Sequence, residues 1–278
     1  MEATPHGAWH QRLLDPSGVR EHLQLPEIQG QTMVIDKGLG KHAFADLLET
    51  AAPYIQFIKL GFGTSPLYEE PLLRSKIQQA TDAGIIISPG GTLLEMAVYQ
   101  QETAAFFRSL VTLGFTGVEI SDGTIEISRQ QRTELIKEGI RHGLCVVTEY
   151  GKKTAGTLID PFDFAKTAEA DLEAGAEYVI VEARESGVDI GLFDSVGNCR
   201  EDLFDQLLRR LPGTSRIMWE APLKSQQAFL LKSLGSNIHL GNIAPSDVLS
   251  LEAMRRGLRS DTFPETEAVV PEPVLYMI

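Results

Sequence analysis

Short apolar runs with charged or polar ends recur along the chain, separated by amphipathic stretches of helical period. The runs are "TMVID" at 32–36, "IQFIKL" at 55–60, "GIIIS" at 84–88, "GVEIS" at 117–121, "LCVVTE" at 144–149, "YVIVEA" at 178–183, "IMWEA" at 217–221 and "NIHLGN" at 237–242. Each is rich in β-branched or aromatic residues and short enough for a strand buried on both faces of a parallel sheet. Helices are predicted between them in "FADLLETAAPY", "FDFAKTAEADLEAGA", "REDLFDQLLRRL", "SQQAFLLKSLG" and "PSDVLSLEAMRRGL". Their starts carry chemical marks. Asp160 before Pro161 is a cap followed by a first-turn proline, and "TLLE" (Thr92, Glu95) and "SRQQ" (Ser128, Gln131) have capping-box spacing. Strict alternation implies parallel strands with right-handed crossovers. Eight such units predict an α/β fold, a (β/α)8 TIM-type barrel rather than an open doubly wound sheet. The expected organisation is an N-terminal extension over 1–30, a single barrel domain over 31–262, and a proline-containing tail over 263–278, free or docked on another subunit.

Composition narrows the partners. A chain of 278 residues with 43% hydrophobic and 23% charged residues can bury a full core. Its longest apolar runs fall far short of the roughly 18 residues a membrane helix needs, so no membrane partner is expected. The opening "MEATPHGAWHQRLLDP" lacks a basic region followed by an apolar core, and a cytoplasmic location follows as the expectation. A net charge of −13 argues against nucleic acid, and anionic ligands would need a local cluster of cations. Cys145 and Cys199 are too few for a disulfide framework and lack zinc spacing.

A barrel reading gives the charged strand ends a meaning, because catalytic residues in this architecture sit where strands end. The first strand ends in Asp36 and Lys37, the second carries Lys59, and the fourth carries Glu119 with Asp122 beyond it. The fifth ends in Glu149, Lys152 and Lys153, the sixth in Glu182 and Arg184, the seventh in Glu220 and the eighth in Asn242. Carboxylates from several strands suit a hard divalent cation, Mg2+, that shares its shell with waters and substrate oxygens. Lysines and an arginine beside them suit the phosphate and carboxylate groups of an anionic ligand. Any single pair of these groups serves equally well as a scaffold salt bridge. Glycine turns add backbone donors: "GFGTS" ending in Ser65, "SPGGT" with Gly90, Gly91 and Thr92, and "GNIAPS" with Asn242. Gly90, Gly91 and Thr92 open a predicted helix, whose N-terminus favours anions. "KSQQ" after Pro222 reads as a helix start.

The fragments "MVIDKGLG", "IKLGFGTS", "SPGGTLLE", "GFTGVEISDGT", "VVTEYGKK", "VIVEARESG", "GLFDSVGN", "WEAPLKSQQ" and "SLEAMRRGLRSDTF", in this order, resemble the phosphosulfolactate synthases from about Thr32 to Phe263. The resemblance implies a (β/α)8 barrel and a Mg2+-dependent addition of sulfite to phosphoenolpyruvate, giving (2R)-2-phospho-3-sulfolactate. In methanogens that product leads to coenzyme M, and in sporulating bacteria to sulfolactate. Glu119, Glu149, Glu182 and Glu220 are then the candidates for the metal's surroundings, with Asp36 and Asp122 next. Following the family motif, Lys153 is the expected proton donor, its pKa lowered by cationic neighbours or partial burial, with Lys152 at the substrate or turned outward. Lys37 and Lys59 are expected to steer sulfite or bind the substrate's anionic groups, and Arg184 to hold phosphate. A homo-oligomer is expected, with Arg255, Arg256 and Arg259 as a second-use contact patch. Two alternatives stay open: another barrel enzyme that handles phosphoenolpyruvate or an enolate, and a non-catalytic barrel related to heat stress, since the family also includes plant proteins of that kind.

Overall fold

The computed structural model describes Leu13, Asp15 and residues 30–263. The predicted extension and tail therefore lie almost wholly outside the described residues. Eight parallel strands form one sheet. They are β1 (Thr32–Asp36), β2 (Phe57–Leu60), β3 (Ile86–Pro89), β4 (Gly117–Ile120), β5 (Cys145–Tyr150), β6 (Tyr178–Val181), β7 (Ile217–Glu220) and β8 (His239–Ile243). Between and after them run α1 (Lys41–Ala51), α2 (Glu70–Asp82), α3 (Gly91–Tyr99), α4 (Thr103–Leu113), α5 (Arg129–Arg141), α6 (Pro161–Ala174), α7 (Glu201–Leu208), α8 (Lys224–Leu234) and α9 (Val248–Arg255). All eight predicted strands are present, so the (β/α)8 expectation holds.

Side chains alternate across a strand, and that period sorts the whole barrel into layers. Val34, Ile58, Leu60, Val118, Ile120, Val146, Val179, Val181 and Trp219 face outward and pack against the helices. Met33, Phe57, Val147, Ile180 and Met218 face inward and fill the lower half of the barrel with an apolar plug. Two residues beyond each plug residue of β2, β5, β6 and β7 come Lys59, Glu149, Glu182 and Glu220, all buried. The same parity therefore puts an apolar floor directly beneath a charged ceiling.

Neighbouring strands pair by parallel ladders from β3 through β1 and β8 round to β4, with one register shift between Thr32 and Val34 where β1 meets β8. Between β3 and β4 there is no such ladder among the described residues. There the barrel closes through Thr116, whose N–H donates to Ile87 O at 3.2 Å and whose Oγ1 accepts the Ile87 N–H at 3.0 Å. Gly117 permits the approach, since a Cβ on it would stand 2.7 Å from Ile86 Cγ2.

Helix starts follow the sequence in two of three cases. Asp160 accepts the N–H groups of Phe162 and Asp163, and Ser128 accepts that of Gln131. The capping box expected of Thr92 and Glu95 does not form: the N-cap is Gly90, without a side-chain cap, and Glu95 is used elsewhere. "KSQQ" does open α8, with Gln226 and Gln227 buried.

One buried ion pair ties β1 to the helix layer. Asp36 and Lys76 are both sealed from solvent and stand 2.5 Å apart. Asp36 Oδ1 also accepts the N–H groups of Gly38 and Leu39, while Lys76 donates to Leu39 O and Tyr68 and lies over the Phe44 and Tyr68 rings. Replacing Lys76 by Met strands a carboxylate in the core and is expected to cost about 3–5 kcal/mol in urea unfolding. The double change Lys76→Met with Asp36→Asn removes the uncompensated charge and is expected to be the more stable of the two.

Candidate active site

The upper ends of the strands surround a cavity of 310 Å3 lined by residues from six of them, among them Ile35, Lys59, Glu119, Glu149, Glu220 and Asn242, together with the loops that follow. Lys59 stands at its base, only 4% exposed. Its Nζ is 2.9 Å from Glu220 Oε1, 3.0 Å from Glu119 Oε2 and 3.5 Å from Glu149 Oε2. Higher in the cavity, Lys153 Nζ is 2.9 Å from Glu149 Oε1, 3.5 Å from Glu95 Oε1 and 3.9 Å from Glu182 Oε2. Backbone donors complete the set: Gly91 N–H bonds Glu119 Oε1 at 2.7 Å, Ala183 N–H bonds Glu220 Oε2 at 2.9 Å, and Arg184 N–H bonds Glu182 Oε1 at 2.5 Å.

Crowded carboxylates shift one another. Burial, then the charges of Glu149 and Glu220, push the Glu182 carboxyl well above its usual range. Burial pushes Glu119 up to about 7 against the pull of Lys59. Glu149 goes the other way: burial works against its charge, but Lys153 and Lys59 beside it outweigh that and hold it below the usual carboxylate range. Lys59 and Lys153 both lie above the ordinary lysine value, because the surrounding carboxylates overcome the burial that would lower them. That corrects the expectation for Lys153. Its neighbours are anions, and its pKa is raised.

Oxygens of Glu149, Glu182 and Glu220 all lie within 4.8 Å of one another. Glu182 Oε2 is buried and accepts no hydrogen bond among the described residues. Three convergent carboxylates, one with an unsatisfied buried oxygen and a pKa raised by its neighbours, form a donor set that could hold a metal ion.

The other candidates fall in several places. Gly90, Gly91, Thr92, Arg184 and Asn242 line the cavity. The Gly91 N–H is committed to Glu119 rather than free for a ligand. Lys37, half-exposed, pairs with Glu185 at 3.5 Å beside the mouth. Asp36 is not at the site. Ile35 faces the cavity, so strand parity turns Asp36 outward to Lys76. Asp122 likewise turns to Arg132 at 3.1 Å, and Lys152 donates to Asp122 O, to Ile125 O and to Glu126 at the outer edge of the loop. Ser65 is buried against an apolar groove between α2, α3 and α4. Glu95 escaped the sequence reading as a site residue because its spacing from Thr92 read as a helix cap. Phe62, Thr124 and Glu185, which also line the cavity, carried no distinguishing signal.

A family model described as (2R)-phospho-3-sulfolactate synthase (ComA) matches residues 20–261. The chain is 43% identical over 239 residues to the phosphosulfolactate synthase of Methanothermobacter thermautotrophicus, covering 85% of this chain and 92% of that protein. The chain belongs to the phosphosulfolactate synthase family. The phosphosulfolactate synthase of Bacillus subtilis is 35% identical over 240 residues, covering 86% of this chain and 94% of that protein. Family membership makes the protein an enzyme of the lyase class. Among solved structures, 3-hexulose-6-phosphate synthase superposes with a TM-score of 0.50 at 13% identity, covering 80% of this chain and 98% of that one, a likeness of barrel fold. No helix among the described residues of this phosphosulfolactate synthase family member is long and apolar enough to cross a membrane.

A raised carboxyl pKa has a sign that can be measured. Folded Glu119 keeps its proton up to about 7, whereas the unfolded chain loses it near 4.5. Its contribution to stability is therefore complete below 4.5 and fades as pH rises through 7. Glu149, with its lowered pKa, is ionised in both states across that window and contributes evenly. Metal-free protein is expected to lose Tm between pH 5 and 7.5, and a divalent cation to flatten that decline. Calorimetry in buffers of different ionisation enthalpy is expected to show proton release on cation binding near pH 6.

Proposed function

We propose that the chain catalyses the Mg2+-dependent addition of sulfite to phosphoenolpyruvate, giving (2R)-2-phospho-3-sulfolactate. The observation that carries this reading is the buried Glu149–Glu182–Glu220 triad with Lys153 beside it, in a cavity lined at its mouth by the exposed Arg184. An all-carboxylate donor set favours a hard cation such as Mg2+ over softer metals. Glu149, Glu182 and Glu220 would hold such an ion, which would supply charge stabilisation at the carboxylate end of the substrate.

The chain's own residues meet the remaining demands. Sulfite forms a C–S bond at the methylene carbon of phosphoenolpyruvate, and the double-bond electrons move toward the neighbouring carbon and its carboxylate. That carbon must then gain a proton on one face. Lys153, kept as an ammonium by Glu149 and Glu182, holds a proton at Nζ in the upper part of the cavity and delivers it to a carbanionic carbon far more basic than itself. Two anions have to meet, and preorganised cations offset their repulsion. Arg184, with no side-chain partner among the described residues, offers its planar fork to the phosphate, and Lys37 adds charge beside the mouth. Lys59, buried and saturated by three carboxylates, draws the acidic groups together and offsets their mutual repulsion instead of contacting substrate.

Purified protein incubated with phosphoenolpyruvate, sulfite and Mg2+ is expected to yield a sulfonated phospho-acid detectable by mass, and no product when any one component is withheld. Absence of that adduct with all components present sinks the proposal. Lys153→Ala is expected to lower kcat by about 10²–10⁴-fold. Arg184→Ala, which removes a charged contact made throughout the reaction, is expected to raise the KM for phosphoenolpyruvate about tenfold or more.

A further inference from the structure

Lys153 lies on a loop, yet its side chain has a built seat. Its backbone N–H donates to Gly123 O at 3.1 Å, which joins the loop after β5 to the loop after β4. The methylene stem then runs across the face of Gly123: a Cβ there would stand 2.9 Å from Cε and Cγ and 3.0 Å from Cδ of Lys153, its three nearest neighbours. Gly123 is outside the left-handed region, so its backbone suits any L residue. The absence of a side chain at 123 therefore serves the lysine above it.

Gly123 is itself held from across the barrel seam by Glu95, which is 2% exposed. Glu95 Oε1 accepts the Gly123 N–H at 3.2 Å and the Ser121 hydroxyl, and Oε2 accepts the Thr124 N–H at 2.8 Å. Oε1 also faces Lys153 Nζ at 3.5 Å, while Thr92 Oγ1 is 3.4 Å from the same nitrogen. One carboxylate thus fixes the floor under the stem and one side of the ammonium.

We infer that Gly123 and Glu95 are positioning residues that set where the Lys153 ammonium stands over the reacting carbon. This rests on the addition reaction proposed above, in which Lys153 delivers the proton. A misplacement of about 1 Å in such a group can cost about 10²-fold in rate. Gly123→Ala adds only a methyl, and the lysine stem is the flexible partner that must yield. The ammonium is expected to move while the hydrogen-bonding groups of Gly123 and Glu95 are all retained.

The test compares wild type, Gly123→Ala and Glu95→Gln for sulfonated product, with kcat, KM for phosphoenolpyruvate and Tm measured on each. Gly123→Ala is expected to lower kcat at least about tenfold while KM stays within about twofold, the split expected when only the chemical step is touched. Glu95→Gln is expected to show the same split, since it removes one acceptor from the loop and the charge facing Nζ. Wild-type kcat in Gly123→Ala overturns the inference. So does a loss in which kcat and KM worsen together with Tm, because that reports a damaged loop. If Gly123→Ala does not fold, Glu95→Gln decides on the same criterion. A wild type that makes no adduct defeats the underlying reaction instead, and is recognised before any variant is compared.

Discussion

A lysine buried inside a barrel among three carboxylates is the constraint around which the rest of the site is arranged. Isolated charges are prohibitively costly in such a place, so each must be paired or neutralised. Lys59 and Lys153 supply two positive charges, while Glu95, Glu119, Glu149, Glu182 and Glu220 bring five carboxyl groups around them. Protein cations alone do not balance the set. The remainder appears as raised carboxyl pKa values at Glu119 and Glu182, and it is this residual acidity that makes a divalent cation welcome. Binding capacity and electrostatic strain are one property seen from two sides.

The strain is borne by the layer outside the sheet. Arg132, almost fully buried, donates to Asp171, to Asp122 and to the backbone carbonyl of Glu149, so it joins α5, α6 and the end of β5 at one point. Lys76 and Asp36 do the same for α2 and β1. These struts reach the charged centre only through the Glu149 backbone among the described contacts, yet they fix the strand ends from which the carboxylates project. A site of repelling groups needs such a rigid frame, because any slack would let the carboxylates relax apart and lose the geometry that attracts a cation.

Much of this was legible in the residues. Strand runs bounded by turns and alternating with capped helices led to the barrel, and charged strand ends led to Lys59, Glu119, Glu149, Glu182, Glu220 and Lys153. Parity within a strand, applied strictly, would also have excluded Asp36, since it is one residue beyond an inward-facing Ile35. What sequence could not reveal were relations across the chain. Glu95 and Thr92 have the spacing of a helix cap, and only the closure of the barrel turns Glu95 toward the loop after β4. Lys153 has another lysine as its neighbour in sequence but carboxylates as its neighbours in space, so the direction of its pKa shift was read with the wrong sign.

The joint between β3 and β4 lends these contacts a second significance. With no ladder there, the barrel is riveted low down by Thr116 and high up by the site itself: Glu119 takes the Gly91 N–H, and Glu95 reaches from α3 to Ser121, Gly123 and Thr124. The residues that hold the chemistry also hold the weakest circumference of the fold shut. Loss of Glu95 or Glu119 would therefore loosen the open edge as well as alter the site's charge, whereas loss of Lys153 would silence the chemistry and leave that clasp intact.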